Sequence, residues 1–431
     1  MKLSHMFARM VGLVGMRVLG AGLNVIIQIV FARIFLPEDV GVIMLCMSTA
    51  AFISLFASLG YPWLAQTQLP RFDALGLKKI QHRFHGAFLH DASAAILLIS
   101  TAVVTASMLA ALGTSTNTAL LFGCLSAPAS MLLRYDSAIA NTQRKFTLSY
   151  APDFLCRPLL LLAFILIPYL IGWHMSVVQA MVAFVVVLYI VAAGQACYLG
   201  SQGVLPSDFR QARALLTRVL RTRALPLAVV AAVSTSFADI VTLLGGLLLP
   251  PSDVALLAVT IRLAAIAGFV IQVTQQFVLP DLTTALTLHN KPLANRLLLR
   301  MNALTLVTII GGLLATVVCG RFALGLFGEH YVGGFGLLII FMVGQSIRAL
   351  GGMNQQLLSI EGKQTRTAAS SIMALALLVS VSVIMVHYYG LVGMGYGVLV
   401  AECAWALLLA AQAQIHTGQR GDVLWLFAHK L

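Results

Sequence analysis

The chain has 431 residues, of which 60% are hydrophobic and only 10% are charged, and its formal net charge is +13. Soluble domains contain roughly 25% charged residues, so the composition excludes a soluble globular protein and predicts a polytopic membrane protein. A spanning helix needs roughly 20 apolar residues and, with its connection, uses about 35, so the length predicts about twelve spans.

The first apolar segment begins close to the N-terminus and runs past the length of an ordinary signal peptide. Because it also contains Arg17 and Asn24, we interpret it as the first span and not as a cleaved signal. Further apolar segments follow one another along the chain. The predicted ranges are 11–34, 40–62, 85–112, 117–141, 151–171, 175–199, 224–248, 253–280, 301–324, 333–360, 368–389 and 391–414.

Lysine and arginine are concentrated in alternate connections between these segments. The positive-inside rule places such connections in the cytoplasm, which predicts an even number of spans with both termini cytoplasmic. The positive charge therefore indicates topology and not a nucleic-acid partner, with a weak case for binding anionic membrane lipids. The longest basic connection, residues 201–223, is either a helix on the membrane surface or a plain basic linker.

Two short motifs with proline and acidic residues recur half the chain apart. They are LPEDV at Leu36–Val40 and LPPSDV at Leu249–Val254. In each motif the proline closes the preceding helix and begins the next, while the acids face the positive end of that helix. Similar turns follow at about the same offset, which indicates a parallel repeat of two six-helix lobes. We predict lobes at 1–200 and 224–431, joined by the linker 201–223, with the transport site between the lobes.

Two long stretches resemble signatures of the polysaccharide-biosynthesis flippases, the Wzx-like exporters of the multidrug/oligosaccharidyl-lipid/polysaccharide superfamily. They are ARIFLPEDVGVIMLCMSTAAFISLFASLGYPWLAQTQLPRF and LLSIEGKQTRTAASSIMALALLVSVSVIMVHYYGLVGMGYGVLVAE. The resemblance implies an all-α fold of two six-helix bundles around a V-shaped central cavity. It also implies alternating-access transport of a lipid-linked sugar from the inner to the outer leaflet of a bacterial inner membrane. The predicted span count disfavours the fourteen-span lipid II flippase branch.

Five arginines lie inside the apolar segments, where each costs about 2.5 to 3.5 kcal/mol at a helix centre. They are Arg17, Arg134, Arg157, Arg262 and Arg348. A guanidinium binds a diphosphate in a bidentate fork. We predict that Arg17, Arg262 and Arg348 line the cavity and bind the diphosphate of a polyprenyl-diphosphate-linked oligosaccharide, with structural pairing as an equal alternative. For Arg134 and Arg157 a structural role is favoured, because Asp136 and Asp153 are close in sequence.

Acids inside the apolar segments can bind a proton or Na⁺ and couple its gradient to transport. Asp239 and Glu402 are the candidates, and pairing with a neighbouring arginine or hydroxyl is the alternative for each. Asp239 is preferred, because the hydroxyls of Ser234, Thr235 and Ser236 can make its surroundings polar. His90 beside Asp91 suggests a proton relay, although a structural role is favoured for that pair.

Three glutamines occupy positions i, i+3 and i+4 and therefore share one helix face. They are Gln272, Gln275 and Gln276. We predict that they line the cavity and donate hydrogen bonds to sugar hydroxyls, with interhelical hydrogen bonding as an equal alternative.

Enzyme signatures are missing from the sequence. There is no P-loop, GxSxG or HExxH motif, and the six cysteines lie singly without metal-ligand spacing. We therefore predict a transporter with no cofactor, driven by a proton or Na⁺ gradient if any, and serving O-antigen, capsule or exopolysaccharide assembly with a polymerase of the same pathway as partner. The alternative is a cation-coupled multidrug exporter, which favours an acid-rich, aromatic cavity.

Overall fold

A computed structural model describes residues 2–110, 112–202, 214–288, 291–418 and 421–423. Within these ranges the chain is mostly helical and contains no β-strand. The first helices are α1 (Lys2–Ile34), α2 (Pro37–Ala57), α3 (Tyr61–Ala74), α4 (Lys78–Leu109), α5 (Thr114–Thr142), α6 (Phe146–Ala151), α7 (Arg157–Leu170) and α8 (Val177–Ser201), with a π-helical turn at Pro152–Cys156 between α6 and α7. The others are α9 (Ala214–Thr235), α10 (Phe237–Leu248), α11 (Pro251–Thr287), α12 (Lys291–Phe327), α13 (Glu329–Val332), α14 (Phe335–Leu350), α15 (Asn354–Ile360) and α16 (Gln364–Thr417).

Most of the helices can cross a bilayer. Within the described ranges, 9 helical segments are long and apolar enough to do so, and α9 with α10 makes a tenth as a pair bent by 79°. The Val18–Ile34 part of α1 is a shorter apolar helix. The predicted all-α, multi-span membrane protein is therefore confirmed.

Helix α16 consists of two helices joined at Gly390. Its 54 residues would extend about 80 Å as one straight helix, far more than the roughly 30 Å of a hydrocarbon core. Gly390 breaks it with φ 55° and ψ −134°, a conformation that side chains disfavour. Beyond this break Gly393 lies against the carbonyl of Met385, and Gly397 lies against Ser382, so the two halves pack antiparallel. The break falls at the predicted boundary between the last two apolar segments.

Both proline motifs begin helices as predicted. Pro37 occupies the first turn of α2, followed by Glu38 and Asp39, and Pro251 begins α11 with Asp253 in its first turn. The two prolines lack an N–H that the first turn of a helix does not use, and the acids complement the positive end of the helix dipole.

Two compact units make up the chain, Met1–Ala255 and Leu256–Leu431. In the first unit, α2 is the central helix, and glycines let its neighbours approach closely. Gly123 of α5 lies against Thr49, and Gly246 of α10 lies against Leu45. Because α10 packs on α2, the bent pair α9–α10 belongs to this unit.

The two units follow packing and not the sequence repeat, so the lobes 1–200 and 224–431 remain a prediction. Of the predicted linker, residues 203–213 lie outside the described ranges. Helix α9 begins at Ala214, inside that linker, and continues into the apolar segment.

In the second unit, a short C-terminal segment covers a break in a span. Helices α14 and α15 are separated at Gly351–Met353, where Gly352 has φ 59°. The N–H of Met353 donates to the Gly421 carbonyl at 3.0 Å, and the N–H of Val423 donates to the Leu350 carbonyl at 2.9 Å. Backbone polar groups at membrane depth need partners inside the protein, and Gly421–Val423 supplies them here.

Candidate functional site

The second unit brings together one predicted arginine and one predicted acid. Nη1 of Arg348, on α14, lies 4.0 Å from Oε1 of Glu402, on α16, and the two side chains are 14% and 2% exposed. Oε1 also accepts a hydrogen bond of 3.1 Å from Nε2 of Gln345. At 4.0 Å the Arg348–Glu402 contact is an ion pair without a hydrogen bond.

An aromatic ring also contacts the guanidinium of Arg348. Cζ of Arg348 lies 4.8 Å from the centroid of the Trp405 ring, within the range of a cation–π interaction. The indole Nε1–H of Trp405 donates to Oγ of Ser371 at 3.3 Å, which fixes the ring. We call Arg348, Glu402, Gln345, Trp405 and Ser371 the Arg348 cluster.

Helical spacing explains why these side chains meet. Gln345 and Arg348 are three residues apart on α14, and Glu402 and Trp405 are three apart on α16, so each pair shares a helix face. Trp405 was not among the site residues predicted from sequence. Its spacing from Glu402 is the signal that could have found it.

A glycine makes room for the Glu402 carboxylate. A Cβ on Gly344 would lie 2.7 Å from Oε2 of Glu402, so this carboxylate oxygen occupies the space of a side chain. Oε2 has no hydrogen-bond partner among the described residues. The cluster therefore presents a guanidinium that can bind an anion and a buried carboxylate that can bind a proton.

The first unit contains a second polar cluster around Asp239, at the start of α10. Oγ of Ser48, on α2, donates to Oδ1 of Asp239 at 3.3 Å. The hydroxyls of Ser234 and Thr235, which were expected to surround Asp239, donate to the carbonyls of Val230 and Ala231 one turn earlier. The described hydroxyl contact of Asp239 thus comes from another helix.

Two arginines belong to this second cluster. Nε of Arg157 pairs with Oδ1 of Asp153 at 3.2 Å, four residues earlier along the chain, as predicted. Arg134, on α5, lies within electrostatic range of Asp153 and Asp239. Its expected neighbour Asp136 is not among these charges, because residues two apart on a helix point in different directions. We call Asp239, Ser48, Arg134, Asp153 and Arg157 the Asp239 cluster.

Four other predicted site residues are described by their burial or lie outside the described side chains. Arg262 is partly buried on α11, and Gln272 is exposed on the same helix. The side chains of Arg17 and Gln276 lie outside the described part of the chain.

Gln275 connects helices within the second unit. Its Nε2 donates to the Gly352 carbonyl at 3.3 Å, and its Oε1 accepts from Nε2 of Gln356 at 2.9 Å. The first of these hydrogen bonds gives the Gly352 carbonyl a partner at the break between α14 and α15. Both are the interhelical hydrogen bonds that the sequence left open as an alternative to sugar binding.

The His90–Asp91 pair belongs to an aromatic core in the first unit. The buried carboxylate of Asp91 accepts a 2.8 Å hydrogen bond from the hydroxyl of Tyr61, and Nδ1 of His90 lies 3.2 Å from its other oxygen. Tyr135, which stacks on Phe88, is hydrogen-bonded to His85 at 2.6 Å. The buried Asp91 therefore has a structural partner. No group of three metal-ligating acids, histidines or cysteines occurs among the described residues.

Comparison with known proteins shows which fold this is. No protein-family model and no curated protein matches the chain. Solved structures do. An inward-facing MATE-family multidrug resistance transporter of the MOP superfamily aligns with a TM-score of 0.67 at 16% identity, over 95% of this chain and 96% of that one. The lipid II flippase MurJ aligns with a TM-score of 0.68 at 12% identity, over 95% and 87%.

The chain has the fold of MATE and MurJ transporters. A eukaryotic MATE transporter, AtDTX14, also aligns, with a TM-score of 0.63 at 14% identity over 94% of this chain and 96% of that one. These identities are low, so the likeness establishes the fold alone, and not the substrate. All three neighbours are described as transporters or as a flippase.

Proposed function

We propose that this protein flips a polyprenyl-diphosphate-linked oligosaccharide from the cytoplasmic to the outer leaflet of a bacterial inner membrane by alternating access, for O-antigen, capsule or exopolysaccharide assembly. The MOP-superfamily fold supports the class of protein, and the two Wzx-like stretches support the class of substrate. The observation that carries the proposal is the Arg348 cluster, in which a guanidinium is held inside a span by a ring and an acid.

An anionic substrate would explain why the apolar segments contain arginines. A guanidinium at the middle of a span costs about 2.5 to 3.5 kcal/mol, which a diphosphate bound through two parallel hydrogen bonds offsets. In this proposal Arg348 binds the diphosphate, and Arg262 and Arg17 remain predicted diphosphate ligands. Gln272 and Gln276 donate hydrogen bonds to the sugar, whereas Gln275 is hydrogen-bonded to Gly352 and Gln356.

The proposed topology has about twelve spans in two six-helix bundles related by a parallel repeat, with both termini cytoplasmic. Helix α1 supplies the first span, the bent pair α9–α10 the seventh, and the two halves of α16 the last two. An ion gradient, of protons or Na⁺, acts through Asp239 and Glu402. A polymerase of the same pathway receives the flipped lipid.

A second candidate function is cation-coupled export of multiple drugs. The observation that favours it lies in the same cluster, because Glu402 and Trp405 combine an acid with an aromatic ring, as a site for organic cations requires. The inward-facing MATE neighbour is described as a multidrug resistance transporter. The two functions differ in the charge of the molecule transported.

Deletion of the gene tests the proposal. We expect the deletion strain to accumulate a lipid-linked oligosaccharide, and the wild-type gene, but not Arg348→Gln, to remove that intermediate. The matched control is Arg321→Gln, since Arg321 is exposed and also lies over a ring, 5.1 Å from the centroid of Phe335. Full rescue by Arg348→Gln at a normal protein level, or drug sensitivity without a lipid intermediate, would overturn the proposal.

A further inference from the structure

The Glu402 carboxylate occupies the position that a substrate anion would take on Arg348. Its Oε1 faces the guanidinium of Arg348 and the amide of Gln345, which are both donors. Its Oε2 lies against Gly344. A carboxylate placed between donors in this way resembles a bound anionic ligand more than a surface ion pair.

We propose that Glu402 is an internal counter-ion that the phosphate of the substrate displaces from Arg348, and that Glu402 takes up one proton when this happens. The inference rests on the proposed function, since it requires an anionic substrate. It adds the chemical event that links substrate binding to proton uptake at this site.

The geometry allows the exchange without moving the arginine. The contact with Glu402 is 4.0 Å long and is not a hydrogen bond, whereas the Trp405 ring makes a separate contact with the guanidinium, 4.8 Å from its centroid to Cζ. Trp405 is in turn tied to Ser371. A phosphate can therefore replace the carboxylate while the contact with the ring keeps the guanidinium in place. Trp405 is a positioning residue in this exchange.

Charge balance requires the proton. Before exchange, the positive charge of Arg348 is balanced by the carboxylate of Glu402. After exchange, a phosphate oxygen balances Arg348, and Glu402 is a carboxylate with a 2% exposed side chain and no cation. A buried charge without its partner is strongly unfavourable, so a proton from water binds to Glu402 and restores neutrality.

The described surroundings of Glu402 contain few other groups that could supply or accept this proton. Arg348 faces it from α14, and Cys403 follows it on α16. Gln345 and Ser371 are neutral, and Gly268 of α11, which lies against Oε1 of Gln345, has no side chain. Glu402 is therefore the group expected to titrate when the phosphate binds.

The test is isothermal titration calorimetry of farnesyl diphosphate with the purified full-length protein, in buffers of different ionisation enthalpy. The diphosphate itself exchanges protons near neutral pH, so the measured quantity is the difference in proton uptake between the wild type and Glu402→Gln. We expect a difference of about one proton, and an affinity that falls about tenfold per pH unit more steeply in the wild type over the range where Glu402 exchanges its proton.

Three results are informative. Equal proton uptake by the wild type and by Glu402→Gln would overturn the inference, while loss of binding in Arg348→Gln would still support the proposed function. No binding by the wild type would overturn both. If Glu402→Gln fails to fold, Gly344→Ala replaces it, because its Cβ would displace Oε2 and loosen the ion pair. That variant is expected to bind the diphosphate more tightly at high pH, and weaker binding would contradict the exchange.

Discussion

Trp405, which carries no charge, supports the charged side chain of Arg348. Its ring supports the guanidinium of Arg348, and its position depends on the hydrogen bond to Ser371. A desolvated cation–π contact contributes about 2 kcal/mol, comparable to the cost of placing an arginine inside a span. The ring and the Glu402 carboxylate together explain why Arg348 is tolerated there.

Substitution of Trp405 should weaken binding in a graded way. We expect Trp405→Phe, which keeps a ring but loses the bond to Ser371, to bind a prenyl diphosphate less tightly than the wild type. Trp405→Leu should bind about 5- to 30-fold less tightly, as expected for loss of roughly 1 to 2 kcal/mol. Titration calorimetry measures both, with the exposed Trp173→Leu as control. Equal affinities for the wild type, Trp405→Phe and Trp405→Leu would rule out a positioning role of Trp405.

Asp239 is a residue whose contacts join distant parts of the first unit. It accepts from Ser48 on α2 and lies near Arg134 on α5, so its charge links three helices. We predict that Asp239→Asn makes transport in vesicles insensitive to an imposed pH or Na⁺ gradient, because the amide binds neither ion as a carboxylate does. Asp153→Asn is the comparison, since Asp153 pairs with Arg157 and should affect stability rather than coupling. Normal gradient dependence in Asp239→Asn would remove its coupling role.

At the scale of elements, two candidate spans are interrupted, and in each case residues of the same unit pack against the interruption. The bend between α9 and α10 is covered by α2, on which α10 packs through Gly246 and Leu45. The break between α14 and α15 is covered by Gly421–Val423 and by Gln275. Irregular backbone at membrane depth is tolerated where protein groups provide its hydrogen bonds.

Two buried asparagines should stabilise the second unit cooperatively, because both hold the same segment. Nδ2 of Asn302 donates to the Asp422 carbonyl at 2.9 Å, and Oδ1 of Asn354 accepts from the Gly421 N–H at 2.8 Å. Each alanine variant should lower the stability by about 1 to 3 kcal/mol, because a buried backbone group loses its partner. Since both side chains hold the same segment, the double variant should lose less than the sum. Thermal unfolding in detergent measures this, and strict additivity would show that the segment is not held cooperatively.

Elements were predicted from sequence more successfully than the contacts between them. Apolar length and the two proline motifs predicted the helices, and the predicted boundary between the last segments falls at Gly390. Hydropathy does not report bends, so the breaks at Ser236 and Gly352 were missed, although the positive φ at Gly352 favours glycine. The neighbours of Arg134 were predicted from sequence proximity, whereas the structure brings Asp239 to it from a distant helix.

At the scale of the whole molecule, the fold of MATE and MurJ transporters fits more than one substrate. What distinguishes the candidates is charge, because a lipid diphosphate requires the guanidinium of Arg348 and an organic cation requires the carboxylate of Glu402. The two functions therefore depend on opposite partners of the Arg348–Glu402 ion pair. Removal of one partner at a time separates them.

The most direct measurement is flipping of a fluorescent polyprenyl-diphosphate oligosaccharide by the purified protein in proteoliposomes, with efflux of a cationic dye measured in parallel. We predict that the wild type flips the lipid, that Arg348→Gln reduces the rate at least about tenfold by removing charge-assisted hydrogen bonds, and that Arg321→Gln does not. Dye efflux that depends on Glu402, without flipping of the lipid, would contradict the account.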